Sequence, residues 1–90
     1  MTDPMKTTVL ISGTGSNLQA LIDARRQGRL ELDINHVISN VANAPGLSRA
    51  ESAGIRTSVL EHGAFENRDD FDRALALLIA AGEPRLVVLA

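Results

Sequence analysis

Five residues near the start of the chain, Gly13-Thr14-Gly15-Ser16-Asn17, have the composition of an anion-binding corner. They lie between a β-branched apolar run, residues 7 to 12, and a segment in which Leu18, Leu21 and Ile22 recur at the spacing of one helix face. Glycine at 13 and 15 lets the backbone take positive φ and approach a ligand with no Cβ in the way. Ser16 and Asn17 then open the helix, where the first amides have no internal partner and the helix dipole presents its positive end. This combination points to a phosphate held by Gly15, Ser16 and Asn17, with Gly13 and Thr14 as the supporting turn. A plainer alternative stays open, in which the glycines make only a tight strand-to-helix turn and Ser16 caps the helix.

Two familiar phosphate loops fit poorly. The triphosphate loop ends in Gly-Lys-Ser/Thr, and no lysine follows Lys6. The dinucleotide pattern G-x-G-x-x-G requires a third glycine where Leu18 stands, and the acidic residue expected after the second strand is replaced by Ser39 and Asn40. A dinucleotide-binding half-domain therefore remains only as the alternative.

Other residues capable of chemistry are scattered. His36 falls mid-strand and His62 in a connector, without a carboxylate and a nucleophile at telling positions, so neither reads as catalytic. Glu66, Asp69, Asp70 and Asp72 read as helix-start electrostatics rather than a metal site, and no metal is expected. Arg68, taken alone, is a solvated residue at the start of the third helix.

The elements that must position these groups follow from periodicity. A strand over residues 7 to 12 leads to a helix over about 16 to 27, with Gly28 placed for a left-handed cap. A second strand covers 33 to 40, and a short helix runs from Pro45 to Gly54. A third strand at 56 to 61 precedes a helix capped by Asn67, with Phe71, Leu75, Leu78 and Ile79 on one face. Gly82 and Pro84 stop that helix, and "RLVVLA" supplies a fourth strand that reads as fully buried. Strict alternation predicts an α/β fold: the Rossmann-like half of a doubly wound sheet, with four parallel strands in order 3-2-1-4 and three helices. An apolar strand at the very end of the sequence, with nothing after it to cover the sheet, predicts a truncated half-domain whose exposed edge invites self-association.

Composition sets outer bounds. With 90 residues, 44% hydrophobic and a net charge of -2, the chain is one small domain at most, and its core is thin. It has no cysteine, no long apolar run and no basic block, so disulfides, a membrane partner and a nucleic-acid partner are not expected; a cytoplasmic location is.

Several segments in order, "VLISGTGSNLQALID", "VISN", "GLSRAESAGI", "FENRDDFDRAL" and "LVVLA", resemble the N-terminal half of the phosphoribosylglycinamide formyltransferases. The resemblance spans essentially the whole chain. It implies a purine-pathway enzyme that moves a formyl group from the cosubstrate 10-formyltetrahydrofolate to glycinamide ribonucleotide. It also implies that Gly15, Ser16 and Asn17 cradle the ribonucleotide phosphate and that Arg68 contacts the folate. Thr14 departs from the asparagine frequent there in that family, at a position that contributes mostly backbone. The family's catalytic asparagine, histidine and aspartate would lie beyond Ala90. The resemblance therefore implies no catalytic residue within the chain, an inactive isolated half, and the C-terminal half as its natural partner.

Overall fold

The computed structural model describes residues 4–90. Its elements are β1 (Met5–Ile11), α1 (Ser16–Arg26), β2 (Leu32–Ser39), α2 (Pro45–Ser52), β3 (Arg56–Val59), α3 (Arg68–Ala81) and β4 (Leu86–Leu89), with one 3₁₀ turn at His62–Ala64. All strand pairings are parallel and the sheet order is β3-β2-β1-β4, as the alternation predicts. The chain moves outward from β1 to β3, then crosses back past β1 to β4. With right-handed crossovers, that reversal puts α1 and α2 on one face and α3 on the other.

The core lies on the α1/α2 face. Val9, Ile11 and Val37 of the sheet are buried against Leu18 and Ile22 of α1 and Leu47 and Ala50 of α2. The opposite face is less apolar and less covered. Leu10 and Ile38 look across a gap toward Phe71 and Leu75 of α3, and of these α3 residues only Phe71 is buried. The register shifts between Thr7 and Thr8, where β1 pairs with Ile34 and then His36, leaving Asn35 as the extra residue of a bulge.

Helix ends follow their local chemistry. Gly28 takes φ 75° after α1, as its cap position requires. The Asn67 side chain accepts a 2.9 Å hydrogen bond from the Asp70 amide, which caps α3. α3 ends at Ala81, where Gly82 and Pro84 are expected to stop it. Gly82 has an ordinary φ of -85°, and the left-handed residue is Glu83 at φ 49°.

The fourth strand corrects one expectation. Instead of being buried on both faces it is, among the described residues, a sheet edge hydrogen-bonded only to β1, with Leu86, Val87 and Leu89 exposed and Leu89 reaching 81%. An apolar run reports how a strand is best buried, not whether neighbours are there to bury it.

Candidate functional site

Every β-to-α connection of a parallel sheet emerges at the carboxyl ends of the strands, and the corner of interest follows the central strand β1. Gly15 is the N-cap of α1, with φ 78° and ψ 23°, and no side chain caps the helix. Its carbonyl accepts the first helical bond, from the Gln19 amide at 2.8 Å. The amides of Ser16, Asn17 and Leu18 have no partner among the described residues. Ser16 is the first helical residue and does not cap the helix, so the expectation of Ser16 as cap is not met. The side chains of Ser16 and Asn17 are exposed. Residues 12–17 and Ala90 enclose a niche of about 180 Å³ around this helix end. An uncapped helix N-terminus with unpaired amides and two polar side chains has donors to offer an anion.

The glycines act differently from the sequence expectation. Gly13 does not have positive φ; among the described residues the glycines with positive φ are Gly15, Gly28 and Gly54. A methyl group on Gly13 would meet open space. One on Gly15 would lie 2.5 Å from the Gly46 Cα, so the missing Cβ makes room for α2. Gly46 is equally tight. Its own Cβ would lie 2.6 Å from Ile11 Cδ1 and 3.0 Å from Gly15 Cα. The Gly46 amide also donates to the Gly13 carbonyl at 3.2 Å. Sequence reasoning missed this glycine because "PG" at a helix start is already explained as a turn.

A second, mainly apolar cleft of about 310 Å³ opens between α3 and the carboxyl ends of β1 and β2. Ser12 and Ala90 line both hollows, so the cleft adjoins the niche. Its outer wall is aromatic: His62 stacks on Phe71 with ring centroids 4.0 Å apart, and Phe65 meets Phe71 edge-on at 5.8 Å. Ser39 closes the end of β2 by a local turn, its hydroxyl donating to the Val41 carbonyl at 2.7 Å and accepting from the Val41 amide at 3.0 Å. Asn40 lines the apolar cleft and not the niche.

Arg68 is not brought to either hollow. Its side chain, 78% exposed at the first residue of α3, forms an ion pair with Asp72 at 3.8 Å. Among the described residues, no group of three or more histidine, cysteine, aspartate or glutamate side chains is placed to hold a metal ion. No helix among them is long and apolar enough to cross a membrane.

His36 belongs to a buried polar group near the C-terminal end of α3, with no part in lining the niche. Its Nε2 lies 2.7 Å from Ser58 Oγ, and Arg56 Nη2 lies 3.5 Å from its Nδ1. Arg56 can only donate, so Nδ1 is the acceptor and Nε2 carries the proton. Burial and then the Arg56 charge push its pKa below the ordinary histidine value. Thr8 Oγ1 and Asn35 Oδ1 in the same region are buried without partners.

With this geometry in place, comparison with known proteins is specific. Residues 5–90 match the formyl transferase family. The chain is 48% identical over 86 residues to the phosphoribosylglycinamide formyltransferase of Escherichia coli, covering 96% of the chain and 41% of that protein. It is 48% identical over 85 residues to the human trifunctional purine biosynthetic protein adenosine-3, covering 94% of the chain and 8% of that protein. It superposes with a TM-score of 0.94 on the phosphoribosylglycinamide formyltransferase of Coxiella burnetii, at 47% identity over 97% of the chain and 41% of that structure. The chain thus spans less than half the length of these relatives. A match across nearly every described residue, on the same fold, establishes that the chain belongs to the formyl transferase family.

Proposed function

We propose that residues 1–90 are the phosphate-holding part of an enzyme that transfers a formyl group from 10-formyltetrahydrofolate to glycinamide ribonucleotide, in the cytoplasm. Gly15, Ser16 and Asn17 hold the substrate phosphate, with Gly13 and Thr14 as the supporting turn. The observation that carries this reading is the uncapped start of α1, where Ser16 and Asn17, whose amides have no partner among the described residues, line a niche of about 180 Å³. Arg68, exposed at the rim of α3, supplies a cation to the anionic part of the folate cosubstrate. These 90 residues by themselves transfer no formyl group, because His36 is buried against Ser58 and Arg56 and His62 is stacked on Phe71.

The test is a titration of ¹⁵N-labelled chain with glycinamide ribonucleotide, and with NAD as comparator. The expected result is saturable movement of the resonances of Gly15 to Leu18 with the ribonucleotide and a higher unfolding temperature; at 100 times Kd, ligand stabilisation is about 2.7 kcal/mol. Stronger protection by NAD would favour a dinucleotide site, and no response to either ligand would defeat the phosphate reading.

The exposed apolar edge at β4 favours a strand partner, and the reading assigns it to the C-terminal half of such an enzyme rather than to a second copy. Sedimentation of the chain over a wide concentration range distinguishes the two. A stable dimer at low micromolar concentration would overturn that assignment.

A further inference from the structure

Arg49 of α2 reaches across to the phosphate corner from behind. Its Nε donates to the Thr14 carbonyl at 2.8 Å, its Nη1 lies 3.4 Å from Gln19 Oε1, and Gln19 Nε2 in turn donates to Asp23 Oδ1 at 3.0 Å. The guanidinium is thus oriented by the Thr14 carbonyl of the corner and by Gln19 of α1, which Asp23 in turn holds. A methyl group on Gly15 would lie 3.2 Å from Arg49 Cδ, so the Arg49 stem packs on the left-handed residue itself.

The physical consequence lies in the peptide planes. In a trans peptide the C=O and the next N–H point in opposite directions. Arg49, by taking the Thr14 carbonyl, turns the Gly15 amide the other way, and Gly46, by taking the Gly13 carbonyl at 3.2 Å, does the same for the Thr14 amide. An anion site built from backbone amides fails if a loop carbonyl rotates into it, since that carbonyl repels the same charge the amides attract. The donors that hold both carbonyls away come from α2.

We propose that Arg49 is a positioning residue for the anion niche: it fixes the Thr14–Gly15 peptide so that amides, and no carbonyl, face the bound phosphate. This inference rests on the phosphate reading of the corner, and it assigns Arg49 no contact with the ligand. Arginine suits the task because its planar fork donates to two acceptors in one orientation, whereas lysine supplies a single mobile charge.

The experiment uses inorganic phosphate as the probe, with ¹⁵N-labelled chain carrying Arg49→Gln or Arg49→Lys beside the unmodified protein, and thermal melts of all three. Before phosphate is added, Arg49→Gln is expected to move and broaden the Thr14 and Gly15 amide resonances. On titration it is expected to weaken phosphate binding about tenfold, the lower end of what losing an outer-shell partner costs at metal sites. Because Arg49 is exposed, its melting temperature should stay within a few degrees. Arg49→Lys should keep the charge and recover only part of the affinity, while full recovery would assign the effect to charge alone and overturn the proposal. So would unchanged affinity in Arg49→Gln, or a loss that merely follows the melting temperature. If the unmodified chain shows no phosphate response, the phosphate reading itself has failed. The ligand-free resonances then judge Arg49 separately, and unchanged Thr14 and Gly15 signals in Arg49→Gln would show that it holds no peptide in place.

Discussion

Replacing Gly15 with alanine tests the corner most directly, because two independent penalties fall on one methyl group. At φ 78° a residue with a Cβ loses about 1–2 kcal/mol relative to a right-handed conformation. The same Cβ would sit 2.5 Å from the Gly46 Cα, a backbone atom that moves only if α2 moves. Forced overpacking of that kind costs about 1–3 kcal/mol. Together these give about 2–5 kcal/mol, a large share of the roughly 5–14 kcal/mol available to a domain of this size. At roughly 4–8 °C per kcal/mol, the midpoint should fall by at least about 8 °C. Thermal unfolding followed by circular dichroism reads this, with Gly13→Ala as the internal control. Gly13 has no positive φ and open space around it, so alanine there should leave the midpoint unchanged or raise it slightly. A Gly15→Ala midpoint within about 2 °C of the parent, or a Gly13→Ala loss of equal size, would refute the packing argument.

Three further outcomes are expected. Asn67→Ala removes the cap that receives the Asp70 amide and should cost about 1 kcal/mol in urea unfolding, whereas Asn67→Ser should recover most of it. Glu83→Gly should raise stability by about 0.5–1 kcal/mol, since Glu83 alone among the described non-glycine residues has positive φ; a lower midpoint would show that the Glu83 side chain matters more than its backbone. His36 titrates below its ordinary value of 6.5 in the folded chain, so the unfolded chain takes up the proton first. Its contribution to stability is therefore complete above about pH 6.5 and declines as the pH falls through the lowered folded value. Melting temperatures between pH 8 and pH 5 should show this decline, and His36→Gln should flatten it; a parent profile already flat would contradict the buried neutral assignment.

The architecture was legible because each element announces itself locally. Leu18, Leu21 and Ile22 mark a helix face, Asn67 and Gly28 mark helix ends, and alternation of strand with helix leaves few topologies. The niche was legible for the same reason, since Gly15 through Asn17 are consecutive. What escaped was everything set by contacts between distant segments. Gly46 and Arg49 lie some thirty residues from the corner they support, and nothing in "PGLSRA" distinguishes them from an ordinary short helix. The packing of α2 against Gly15 escaped on the same ground, because local sequence shows that a Cβ is absent but not what occupies its place. The exposure of β4 escaped as well. Hydropathy describes what a strand prefers, and its burial depends on which other segments reach it. Arg68 was singled out through resemblance, and its ion pair with Asp72 is the ordinary one for residues four apart on a helix.

The pairing of β1 with β4 also has a kinetic consequence. Thr7 lies beside Leu86, so closure of the long loop between these two residues must precede the hydrogen bonds of their strands. Until that closure, the strand that leads into the Gly13–Asn17 corner is itself a sheet edge, paired with β2 alone among the described strands. Refolding should therefore be dominated by this long-range step, in milliseconds or longer rather than the microseconds of a local helical fold. On the ribosome, the root of the anion niche becomes a central strand only when residues 86–89 have emerged.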